Sequence, residues 1–158
     1  MDAARSIALS AVAALDAESA VKQALKREGD SLIGGGSSYD LSGHEVIVIG
    51  LGKASLRMGR AVEEIIGDRM TVGLLVSDRR HKITVRSEVI IGAHPVPDAN
   101  SLLAGRRILE LAGNAGESSL IIFLISGGGS ALVESPISSD ITLNDLKEMN
   151  RVLVGSGA

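Results

Sequence analysis

The sequence predicts an α/β fold: a mostly parallel sheet with helices packed on both of its faces. Three observations predict it. Short apolar, β-branched runs of four to six residues alternate with helical segments of ten or more. Those runs are apolar throughout rather than alternating, which is the pattern of strands covered on both faces. Three of the connections that leave the strands are rich in glycine or proline, and in such sheets the ligand site lies beyond the C-terminal ends of the strands.

Taken in order, residues 3–15 are rich in Ala, Leu, Ile and Val and read as a helix, with Ile7, Leu9, Val12, Ala13 and Leu15 on one broad side. Asp16 can cap a second helix over 17–27, with Val21, Ala24 and Leu25 at helical spacing and Gly29 and Asp30 ending it. The Gly-Gly-Gly-Ser-Ser run at 34–38 reads as a flexible turn or linker. Residues 45–49 form the first buried strand. A helix over 53–66 follows, with Leu56, Met58, Ala61, Val62, Ile65 and Ile66 apolar and Gly67 marking its end. Strands are expected at 72–76 and 88–91, then a helix over 99–112, capped by Asp98 and closed by Gly113. Residues 120–125 give the clearest strand, and the turn 126–130 leads into another helical start. Thr142-Leu143-Asn144-Asp145 has the capping-box pattern and opens a last helix to about Val154. The alternation is Rossmann-like.

Composition narrows the function. The chain has 158 residues, enough for one domain with a real core. Hydrophobic residues make up 45% and charged residues 22%, and the net charge is −3 with acids and bases interspersed. That argues against a nucleic-acid face or a basic membrane patch. Phe123 and Tyr39 are the only aromatics, so the core must be aliphatic and no stacking platform for single strands exists. With no cysteine there is neither a disulfide framework nor a thiolate metal site. The first residues lack the charge and apolar run of a signal peptide, and 120–125 is far too short to span a bilayer. A cytoplasmic location is the expectation.

The chemistry is expected in three loops. Gly50-Leu51-Gly52-Lys53-Ala54-Ser55 follows the first core strand. Glycines let backbone amides approach a ligand, a helix N-terminus favours an anion, and Lys53 adds a point charge. The loop matches neither Walker A nor G-x-G-x-x-G, whose last position is Ser55 here. A tight turn with a solvated lysine is the bland alternative. Ser126-Gly127-Gly128-Gly129-Ser130 follows the strand 120–125, where three glycines suit a nest of amides flanked by two hydroxyls better than they suit a linker. The hydrolase pattern G-x-S-x-G is not met, because Leu132 stands two residues after Ser130. His94-Pro95-Val96-Pro97-Asp98 presents His94 and Asp98 from a loop stiffened by two prolines. His94 could act as an acid, base or donor, whereas Asp98 could be only a helix cap. His44 and His81 read as surface residues, and no histidine pair has metal-ligand spacing. Asp78 could hold a ribose in a dinucleotide site or equally start a turn. Arg57, Arg60, Arg79, Arg80 and Lys82 read mainly as solvated.

In this order, the three loops resemble the N-terminal domain of the MOFRL-type glycerate 2-kinase family, formerly named hydroxypyruvate reductase. The resemblance rests on Gly-Leu-Gly-Lys-Ala at 50–54, Gly-Ala-His-Pro-Val-Pro-Asp at 92–98, Phe-Leu-Ile-Ser-Gly-Gly-Gly-Ser-Ala-Leu at 123–132 and the stretch 146–158. It implies transfer of a phosphoryl group from ATP, with Mg²⁺, to the 2-hydroxyl of D-glycerate. Lys53 matches the family's active-site lysine, and the glycine loops, with Gly50, Gly52 and 126–130, would hold anionic groups through their amides. His94 and Asp98 match a family motif. The family chain continues past residue 158 into the rest of this domain and a separate C-terminal domain, with the active site between the two. By that resemblance residues 1–158 form an incomplete N-terminal domain, with weak or no activity alone and with Val152, Leu153 and Val154 exposed for self-association. The competing expectations are a phosphate- or nucleotide-binding module without catalysis and an NAD(P)-dependent hydroxypyruvate reductase, against which the failed glycine fingerprint argues.

Overall fold

The computed structural model describes residues 16–157, so the helix expected over 3–15 lies outside the described part. Helix α1 (Ala17–Ala24) leads into a small meander of β1 (Leu25–Glu28), β2 (Ser31–Gly34) and β3 (Ser37–Asp40). Then come β4 (Val46–Leu51), α2 (Ser55–Ile66), a single 3₁₀ turn (Gly67–Arg69), β5 (Val72–Ser77), β6 (Glu88–Ile91) and α3 (Ala99–Asn114). The chain closes with β7 (Leu120–Ile125), the one-turn α4 (Gly129–Leu132) and α5 (Leu143–Ser156).

The main sheet has the order β6-β5-β4-β7, and every neighbouring pair is parallel. Because side chains alternate along a strand, the register sorts the core into two layers. Val46, Val48 and Leu124 share one face and pack on Ala61, Val62 and Ile66 of α2, with Val21 of α1 behind them. Leu74, Val76 and Ile90 share the opposite face and pack on Ala104 of α3 and Leu132 of α4. Helices therefore cover both faces, as the apolar runs require. Each fully buried aliphatic side chain contributes about 1.5–3 kcal/mol, so these two layers dominate the stability.

The helix expected over 17–27 stops at Ala24, and the turn or linker expected at 34–38 is a turn, the second one of an antiparallel meander whose strands are not among those expected. Leu-Lys-Arg-Glu at 25–28 are good helix formers, but tertiary pairing overrides propensity. The Arg27 guanidinium donates to the carbonyl oxygens of Gly29 (2.7 Å) and Ile66 (2.5 Å), which ties β1 to the end of α2. Gly35 and Gly36 both take positive φ, 59° and 80°, as a two-residue hairpin turn demands, which decides between the two readings in favour of the turn. A third, smaller difference is that α3 passes through Gly113 to Asn114. On α5, Val152, Leu153 and Val154 are exposed.

Candidate functional site

From β4 the chain moves to β5 and β6 on one side, then returns to place β7 on the other side of β4. The strand order reverses there, and ligands of open α/β sheets bind at such a switch point. Both glycine loops leave the sheet at this point. They are laced together: Ser126 N–H donates to Leu51 O (3.0 Å), Lys53 N–H to Gly127 O (3.0 Å) and Ala54 N–H to Ser126 Oγ (3.1 Å). On the other flank Gly52 N–H reaches Val76 O of β5 (3.1 Å). Gly52 has φ +109°, and a Cβ there would collide with the Ser126 carbonyl oxygen and hydroxyl, so only glycine lets the two loops meet.

Helix α2 starts directly behind this junction. Asp16, Asp98 and Thr142 each cap the helix that follows them, whereas Ala54 offers α2 no side-chain cap. The positive end of a twelve-residue helix thus lies at the switch point, its Ser55 and Arg57 N–H groups taken by the carbonyl oxygens of Gly52 (3.1 Å) and Ala54 (3.0 Å). Lys53 lies over the second loop. A Cβ on Gly128, itself at φ +88°, would sit 3.2 Å from Lys53 Cε, 3.0 Å from His94 Cδ2 and 3.2 Å from His94 Nε2. The third loop is joined to the same edge by Gly92 N–H donating to Ser77 O (3.0 Å). Lys53 makes no ion pair among the described residues, and it and His94 are exposed. An exposed ammonium and an imidazole beside one glycine loop can hold an anion and stabilise charge that develops on it.

The other expected site residues divide. The Ser126 hydroxyl is engaged between the loops, accepting from Ala54 and donating to Leu51 O at 3.3 Å, while Ser130 is exposed at the start of α4. Asp98 is the N-cap of α3 in a reciprocal box: its Oδ1 accepts from Ser101 N (3.0 Å), and Ser101 Oγ accepts from Asp98 N (3.1 Å). Gly50 is buried beneath the first loop, and Gly127 and Gly129 flank Gly128. Arg57 and Arg60 turn away from the loop to pair with Asp16 (3.0 Å) and Glu18 of α1. Among the described residues no three His, Asp or Glu side chains gather as a metal cage. A concavity of about 350 Å³ between α3 and residues 134–141 contains none of the three loops.

One residue of this edge is easily passed over in the sequence. Asp78 stands immediately after β5, its side chain only 12% exposed, with Oδ2 held by Arg79 (2.9 Å) and Oδ1 buried with no partner. The Arg79 hydrogen bond, aided by the charges of Arg79 and Lys53, holds its carboxyl below the usual range. The only signal in the sequence is an acid at the end of the second core strand.

Residues 3–158 match the family described as "Domain of unknown function (DUF4147)". The chain belongs to that family. A relative from Pyrococcus horikoshii, named glycerate 2-kinase, is 39% identical over 149 residues, which are 94% of this chain and 33% of the relative. A crystal structure of a protein from Pyrococcus horikoshii OT3 superposes with a TM-score of 0.82 at 39% identity, covering 100% of this chain and 36% of that one. A crystal structure of glycerate kinase from Thermotoga maritima superposes with a TM-score of 0.64 at 34% identity, covering 75% of this chain and 29% of that one. This chain spans about a third of the length of the relatives it matches.

Proposed function

We propose that this chain supplies one wall of an active site that transfers a phosphoryl group from ATP to the 2-hydroxyl of D-glycerate, giving 2-phosphoglycerate. The observation that carries the reading is the convergence of Lys53 and His94 on Gly128 at the switch point of the sheet, where α2 begins. Phosphoryl transfer asks a protein mainly for positioning and for positive charge around the transferring group, and this patch offers both. Lys53 neutralises a phosphate or the glycerate carboxylate. The amides of 52–55 are bonded within the protein, so the amides for the anion come from the loop after Ser126, and His94 stands beside it as a donor or proton carrier. Mg²⁺ belongs to the reading as a passenger of the nucleotide, since it keeps water and phosphate ligands and needs few from protein. The names of the matched relatives support the substrate and the reaction class.

In this reading residues 1–158 are an N-terminal α/β domain, and the opposing wall comes from chain equivalent to the rest of the relatives. The cytoplasm, where ATP is available, is the location that goes with it. No described helix is long and apolar enough to cross a membrane. Exposed Val152, Leu153 and Val154 offer a face for self-association when that wall is lacking. A dinucleotide-dependent reductase finds less support. The third glycine of its fingerprint falls at Ser55, which is buried and donates its hydroxyl to Val76 O (2.6 Å).

The test is ADP release from ATP with D-glycerate and Mg²⁺, by this chain and by a version extended to the relatives' length. The expected result is turnover by the extended form, weak or none by the short one, and a loss of about 10²–10³-fold in kcat on Lys53→Ala. Full turnover in the extended Lys53→Ala protein would remove Lys53 from the mechanism. No activity in the extended form, with binding of ATP retained, would leave a nucleotide-binding module.

A further inference from the structure

We propose that Asp78 is a further binding residue of this site, its free Oδ1 accepting a hydrogen bond from a hydroxyl group of the bound substrate. The proposal rests on the kinase reading above and names a contact that reading does not use.

The argument starts from an unmet hydrogen bond. A buried carboxylate oxygen without a donor is costly, and native structures rarely keep one unless water or a ligand completes it. Asp78 Oδ1 is such an atom, on a side chain 12% exposed. The other oxygen does not share the deficit, since Arg79 holds it through Nε at 3.2 Å and through a terminal nitrogen at 2.9 Å.

Position comes next. Asp78 follows the last residue of β5, next to β4 in the sheet. The backbone just before it serves two of the site's loops: Val76 O accepts from Gly52 N–H, and Ser77 O accepts from Gly92 N–H. Asp78 thus borders both the Lys53 loop and the His94 loop. An acid at the end of the second strand of a doubly wound sheet is placed to reach hydroxyls of a ligand seated at the switch point.

Charge then selects the ligand group. A phosphate or carboxylate would be repelled by the Asp78 carboxylate. A metal ion would be repelled by Arg79, which is bonded to it, and by Lys53, whose charge it senses. A neutral hydroxyl donor meets neither objection and supplies the missing hydrogen. Besides the 2-hydroxyl that receives the phosphoryl group, two substrates of the proposed reaction carry such groups: the ribose of ATP and the 3-position of glycerate.

The experiment titrates the protein extended to the relatives' length, by calorimetry, with ATP, 2′,3′-dideoxy-ATP, D-glycerate and D-lactate, which lacks the 3-hydroxyl. The wild type is expected to prefer the hydroxylated member of one pair by about tenfold. Asp78→Ala should abolish that preference while leaving affinity for the deoxy member unchanged, and Asp78→Asn, which keeps an acceptor, should retain part of it. Loss in the nucleotide pair identifies the ribose, and loss in the acid pair identifies the acceptor substrate. Arg79 is Asp78's one side-chain partner among the described residues, so thermal melting should show both variants folded. If a folded Asp78→Ala protein keeps both preferences, or the wild type binds all four probes with none, the proposal falls and the kinase reading stands. If none of the four binds the wild type, the kinase reading of this chain falls, and the proposal with it.

Discussion

Replacing Gly52 by alanine tests whether the meeting of two glycine loops holds the site together. The added methyl has two costs. At φ +109° a residue with a Cβ is strained by about 1–2 kcal/mol. The methyl also overlaps the carbonyl oxygen of Ser126, a backbone atom that cannot swing aside as a side-chain end would. Relief requires the loops to part, which breaks Lys53 N–H to Gly127 O and Ala54 N–H to Ser126 Oγ. Each such bond contributes about 0.5–1.5 kcal/mol net. Together the loss is about 2–5 kcal/mol, a large share of the ~5–15 kcal/mol that holds a domain folded. Gly127→Ala is the control: a Cβ there meets nothing within 4 Å and φ is not positive, so the change should stay within about 0.5 kcal/mol. Urea denaturation reads both, as a fall in midpoint at constant m-value. If Gly52→Ala lies within about 1 kcal/mol of wild type, the tight meeting of the loops is not what sets their geometry.

Glu63 of α2 is buried and accepts from Arg86 N–H (2.7 Å), Ser87 N–H (3.0 Å) and Ser87 Oγ (2.6 Å), which pins the long β5–β6 connection. Glu63→Gln puts an amide N–H against one of these donors and should cost about 1–3 kcal/mol, with faster hydrogen exchange at the Arg86 and Ser87 amides. Unchanged exchange there would refute the pinning role. Asp98→Ala should lower stability by about 1 kcal/mol through loss of the α3 cap, and Asp98→Ser should restore it with ATP affinity intact. A tenfold weaker affinity in a fully stable Asp98→Ser protein would instead make Asp98 a ligand contact.

The main sheet was legible because its signal is local. Runs such as 120–125 are apolar at every position, and their ends in the structure fall at or within two residues of those expected. The caps at Asp16, Asp98 and Thr142 were legible for the same reason, since a cap and its partner lie three residues apart. The meander at 25–40 was not. Its strands are only four residues long and include good helix formers, and the bond that fixes β1 crosses 39 residues to Ile66.

The same division holds for the site. Composition and spacing were enough to show that three unusual loops follow apolar strands, and that Lys53, His94 and Asp98 stand in them. Tertiary structure decided which of them meet. Strand order brings β7 beside β4 although β5 and β6 intervene in the chain, so Ser126 and Gly128 reach Gly52 and Lys53 across more than seventy residues. It engages Asp98 in a cap, draws Arg57 and Arg60 away to α1, and leaves Asp78 with one oxygen buried and unpaired. None of that is written in spacing along the chain. Side-chain periodicity reports which face of an element is buried, whereas the partner it meets there depends on the order in which the strands assemble.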